Sequence, residues 1–138
     1  MGTATKEKKL QRLTLEQLIA AKERKDQELL ATKEIEIPSL GGTLLFKRPS
    51  DSTMFEFINA TNKLGETDIE AIVDEMAKVI YACCDQLHDK ELYEAFDVGD
   101  PVDVVFEIMD SGEIMDIGDK VCEMNSIYGN AAEKIKNL

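Results

Sequence analysis

The sequence predicts a mainly α-helical fold: a small helical domain with one β-hairpin near its N-terminus. Three observations lead there. From Pro49 to Met124 apolar residues recur at every third or fourth position, the period of a helix with one buried face. Strict alternation occurs once, in "KEIEI", followed closely by Pro38, Gly41-Gly42 and "LLF". The 138 residues suffice for one domain with a real core and are cramped for two, and the apolar and charged fractions argue against wholesale disorder.

Taken in order, residues 1–13 are polar and basic without an apolar period, and a disordered arm is expected. In "TLEQLIAAKERKDQELLA", Thr14 and Gln17 stand at capping-box spacing, a cap worth about 1 kcal/mol, and a first helix is expected over 14–31. Its stripe of Leu15, Leu18, Ile19 and Leu29 is interrupted by Lys22 and Asp26. That suits a peripheral helix, docked lightly on its own domain, swapped to another copy, or presented to a partner.

The hairpin is expected over 33–48. Glu34 and Glu36 alternate with Ile35 and Ile37, and the second strand resumes as Leu44, Leu45 and Phe46. A lone two-stranded ribbon is marginal in water, so the face of Ile35, Ile37, Leu44 and Phe46 must lie on helices or on another chain's strand.

Helices fill 50–128. Ser50 or Asp51 caps one that runs through Met54, Phe55 and Ile58 and stops near Gly65. Thr67, with Glu70 three residues on, opens the longest, whose stripe from Ile69 through Val73, Met76 and Ile80 to Cys84 and Leu87 marks the central core helix. Asp89 starts a short helix through Leu92, Tyr93 and Phe96, and Asp100-Pro101 caps "VDVVFEIM" with Pro at the first helical position.

The stretch "SGEIMDIGDKVCEM" gathers Ile114, Ile117, Val121 and Met124 within a sector of about 80° and sets Glu113, Asp116, Asp119 and Glu123 nearly opposite. Gly118, at the border of that stripe, costs about 1 kcal/mol relative to Ala and suggests a neighbouring helix in close approach. Residues 14–129 thus make one helical domain, and 130–138 a C-terminal tail.

Charge restricts the function. Residues 1–33 hold eight Lys or Arg against five Asp or Glu, whereas 34–138 hold eight against twenty-three. A body of that sign repels phosphate backbones and fits a basic or apolar protein partner better than nucleic acid. No charge-free stretch approaches the ~18 apolar residues of a membrane helix. Neither a signal-peptide core nor a myristoylation pattern follows Met1, so the protein is expected to stay where it is made.

Chemistry is sparsely signalled. Cys83, Cys84 and Cys122 make a poor disulfide framework and are expected to pack as small apolar groups in a reducing compartment. Cys84 and His88, four apart, could supply two metal ligands with Asp85 or Glu91 a third, but no second pair accompanies them. Carboxylates opposite an apolar stripe are solvated and titrate as ordinary acids. Neither "DVGDPVD" nor "DSGEIMDIGD" has calcium-loop spacing, and a single His makes a nucleophilic triad improbable. No catalytic, cofactor or metal site is expected.

Three blocks then occur in sequence: a capped charged helix ending in "TKEIEIPSLGGTLLFKRPSD", a central acidic helix, and the closing "DPVDVVFEIMDSGEIMDIGDKVCEMNSIYG". In this order and character the chain resembles, over about residues 14–129, the phage tail assembly chaperones of the PBSX-prophage (XkdN-like) type. The resemblance implies a non-enzymatic protein without cofactors that binds the tape measure protein, and possibly the tail tube protein, during tail assembly. It further implies residence in the cytoplasm of the bacterial host and absence from the mature particle. By physical argument the contact residues are Leu15, Leu18 and Ile19 of the first helix and Leu44, Leu45 and Phe46 of the hairpin. Two alternatives stay open: an acidic inhibitor or adaptor that mimics DNA and binds a basic host protein, and a minor structural tail subunit. Monomer and small homo-oligomer are equally open.

Overall fold

The computed structural model describes residues 10–64 and 68–129. Residues 1–9 of the expected arm, Thr67 and the tail over 130–138 lie outside the described residues. Along the chain come α1 (Leu15–Leu29), a hairpin of β1 (Thr32–Ile37) and β2 (Gly42–Lys47), and α2 (Asp51–Asn62). These are followed by α3 (Ile69–Cys83), α4 (Lys90–Phe96), α5 (Asp103–Ile108) and α6 (Ser111–Cys122), then a helical turn over residues 126–129.

Helix α3 is central because its stripe is continuous: Val73, Met76, Ala77, Val79, Ile80 and Cys83 are all buried. Asp68 supplies its cap, accepting a hydrogen bond from the Ala71 amide at 3.4 Å. The helix stops at Cys83, before the last two residues of the expected stripe; Cys84 turns extended and a 3₁₀ turn over Asp85–His88 carries Leu87 back into the core. Ile69 is exposed, because only the later turns of α3 are covered on all sides.

The most extensive packing partner of α3 is α6. Ile114, Ile117, Gly118, Val121 and Cys122 are buried, which bears out the apolar sector, with Met124 partly buried beyond the helix end. At Gly118 a built Cβ would stand 2.6 Å from Sδ and 3.0 Å from Cβ of Met76. The missing side chain is therefore what lets the two helices approach so closely.

The hairpin closes the core on one side. Its register pairs Ile35 with Leu44, Glu36 with Thr43 and Ile37 with Gly42. Ile35, Ile37 and Phe46 are buried and Leu44 is partly buried against the core, as an amphipathic ribbon laid on helices requires. A 3₁₀ turn over Pro38–Leu40 connects the strands and ends at Gly41, whose φ of 66° lies in the left-handed region that favours glycine.

In α2, Ser50 rather than Asp51 is the cap, its hydroxyl accepting from the Thr53 amide at 3.1 Å. Here the expected stripe of Met54, Phe55 and Ile58 needs correction: Phe57 is buried with Met54, while Phe55 points to solvent. Phe57 lies three residues after Met54 and shares its face; Phe55 lies about 100° away. Asp89 caps α4 as expected. Asp100 caps the next turn through the Val102 amide at 3.1 Å, so α5 begins two residues after Pro101.

The two ends of the domain are clasped by Asn125, which is fully buried. Its side-chain amide donates to the Pro49 carbonyl at 2.9 Å and to Asp51 Oδ1 at 3.0 Å, and its oxygen accepts from the Ile127 amide at 2.9 Å. Every major polar valence of this side chain is used, which is the condition for burying an amide without penalty.

Two outcomes are expected from urea unfolding. Ile117→Ala should cost about 2–4 kcal/mol through the cavity it leaves, whereas the exposed Asp116→Asn should stay within about 0.5 kcal/mol. Gly118→Leu should cost about 1–3 kcal/mol by overpacking, and that cost should shrink in a Met76→Ala background, where the opposing side chain is gone.

Candidate functional site

The four carboxylates set opposite the apolar sector come first, three on α6 and Glu123 at its C-terminal cap. Asp116 and Glu123 are exposed, as a solvated face requires. Glu113 departs from the sequence expectation: its carboxylate accepts from both the amide and the hydroxyl of Ser39, at 3.0 and 2.5 Å, and so pins the hairpin turn to the first turn of α6. Asp119 accepts from the Tyr128 hydroxyl at 2.5 Å, and burial together with this bond raises the Tyr128 pKa. Both acids are structural ties, Glu113 to a turn 74 residues upstream and Asp119 to the turn just beyond the helix, and sequence spacing within one helix carried no sign of them.

His88 does not share a face with Cys84, because α3 has ended and the chain has turned by residue 84. The imidazole stacks against Tyr81 at a centroid distance of 4.4 Å, and its Nε2 lies 2.6 Å from the Tyr81 carbonyl. Asp85, which with Glu91 was one of two candidates for a third ligand, is engaged by Lys47 at 3.0 Å, which holds its carboxyl below the usual range. Among the described residues no three His, Cys, Asp or Glu side chains come together as a metal site. Burial pushes the Cys83 thiol up to about 11 and the Cys122 thiol up to about 12, so neither is a thiolate nucleophile near neutrality. Every buried side-chain nitrogen or oxygen among the described residues has a partner. No described helix is long and apolar enough to cross a membrane.

Large apolar residues are exposed singly at Leu40, Phe55, Ile69 and Phe106, but most of those that are exposed lie on or beside α1. Helix α1 is held at its start by the predicted capping box, Gln17 amide to Thr14 hydroxyl at 3.2 Å and Thr14 amide to Gln17 side chain at 2.9 Å. At its end the Ala31 carbonyl accepts from the Arg48 amide at 2.9 Å. Between these two anchors none of its residues is buried. Leu15, Leu18 and Ile19 remain 73%, 52% and 55% exposed. The side turned to the domain is mixed: Arg24, Lys25 and Glu28, with Ala21 and Leu29, line a cleft against Arg48, Asp51 and Ile127. The charged residues of the helix thus meet the domain while Leu15, Leu18 and Ile19 stay exposed.

The hairpin residues expected to meet a partner divide. Leu45 is on the outer face and half exposed, Leu44 is partly buried, and Phe46 is 0% exposed and belongs to the core. Period two dictates this split, since Leu44 and Phe46 share a face that Leu45 does not. Leu45 joins Leu29 and Leu30, absent from the expected contact set, in a groove of about 410 Å³ bordered by Thr32, Thr43 and Lys47. Gln86 stiffens this groove by accepting from the Leu45 amide at 3.0 Å.

No curated protein and no solved structure matches the chain. A family model does: that of the phage XkdN-like tail assembly chaperone protein matches residues 50–137, the helical body from α2 onward, leaving α1 and the hairpin outside the matched span. With most of the chain matched, the protein belongs to the family of phage XkdN-like tail assembly chaperones.

Proposed function

We propose that the chain acts without catalysis, binding the tape measure protein, and possibly the tail tube protein, while a phage tail is built in the cytoplasm of the bacterial host, and that it leaves no copy in the finished particle. The observation that carries this reading is the outward apolar face of α1, Leu15, Leu18 and Ile19, beside the Leu29, Leu30 and Leu45 groove, on a chain of net charge −12. A long helical client with apolar stripes aggregates until something covers those stripes. A helix-sized apolar face covers them, and a strongly acidic body keeps the complex dissolved.

Co-expression should keep the tape measure protein soluble and co-purify it. Leu18→Asp should weaken that binding by about tenfold or more, since burying one leucine is worth about 1.5–3 kcal/mol, while leaving the unfolding midpoint of the dilute monomer unchanged because Leu18 is exposed in the single chain. Failure of the pair to co-purify overturns the proposal. Binding to a basic host protein that is abolished by salt and indifferent to Leu18→Asp would replace it with an acidic adaptor. Detection of the chain in purified particles would replace it with a tail subunit.

A further inference from the structure

We propose that α1 pairs antiparallel with α1 of a second copy of this chain, so that the free protein covers its own apolar stripe. Wound at 100° per residue, Leu15, Ile19, Lys22, Asp26 and Leu29 fall within a sector of about 80°. Their spacing of four, three, four and three is that of a coiled-coil seam. Leu18 and Leu30 flank it, and both are exposed. Arg24 and Glu28, away from this sector, line the cleft against the domain, which Leu29 at the edge of the seam also reaches. A fifteen-residue helix with nothing buried is marginal in water by itself, and the face left open is the apolar one.

The charges in the seam choose the occupant. Lys22 and Asp26 are its only polar residues, of opposite sign, both exposed and held to each other at 2.7 Å. In an antiparallel pair centred on Arg24, Lys22 of each copy faces Asp26 of the other and Ile19 faces Leu29, with Leu18 and Leu30 covering opposite edges of the seam. A parallel pair would set Lys22 on Lys22 and Asp26 on Asp26, which repel. The seam is thus complementary to itself in one direction only.

Pairing occupies the same stripe that the proposed client uses, and in this respect rests on that reading: a client must displace the second copy. Sedimentation of the full chain over a range of concentrations tests the pairing itself. The wild type should form a dimer that dissociates on dilution. Lys22→Asp and Asp26→Lys should each raise the dissociation constant by about tenfold, as two attractive pairs become repulsive. Mixed in equal amounts, the two variants should recombine as a heterodimer, because an acid-only seam then meets a base-only one. A wild type that stays monomeric, variants that dimerise unchanged, or a mixture that fails to recombine overturns the pairing. Tape measure binding by a strictly monomeric wild type overturns the pairing and leaves the function standing. A dimer that the tape measure protein never enters or dissociates supports the pairing and overturns the function.

Discussion

The close contact between α3 and α6 is the constraint on which the remainder of the domain depends. It requires a glycine opposite Met76, since any Cβ at position 118 would overlap that side chain. Once α6 is seated, both its ends become anchors. Glu113 at its start receives the hairpin turn through Ser39, and Asn125 just past its end receives the entry to α2 through Pro49 and Asp51. Ser39 is 74 residues from Glu113 and Pro49 is 76 from Asn125. The last third of the chain therefore fixes where the first third lies. Closing such long loops costs entropy that grows only slowly with length, and the apolar burial along α6 offsets it.

That arrangement leaves α1 outside. The core is already closed by the hairpin on one side and by α2 and α6 on the others, so nothing remains for a further apolar stripe to cover. The helix persists through its end anchors, the capping box and the Ala31–Arg48 bond, and its charged residues meet the domain surface. Its outward stripe is surface the protein's own fold does not consume. Contiguous exposed apolar area is the kind of surface that interaction sites are made of. The family model's match starts after the hairpin and covers the helical body.

Much of this was legible in advance because local signals and global packing agree. The capping box at Thr14 and Gln17, the alternating hairpin with its glycine turn, and the sector of Ile114, Ile117 and Val121 appear where their spacing puts them. Errors arose where two residues compete for one face: Phe57 displaced Phe55 on α2, and Phe46 belongs to the core although it was expected to meet a partner. Both are settled by the phase of an element against its neighbours, which a sequence window does not contain. Asn125 passed unremarked because a single amide in a helical tail has no periodic signature; its importance comes entirely from two groups far upstream.

The sequence by itself determined the elements, their order, the apolar face of each and the acidic surface, because capping, turn chemistry and periodicity act over a few residues. Only the tertiary structure decided which apolar faces are used up. Burial depends on which elements meet, and that is settled by contacts such as Gly118 on Met76 and Asn125 on Pro49, made between residues tens of positions apart. The stripe of α1 is open to solvent for the same reason: the other elements had already satisfied one another.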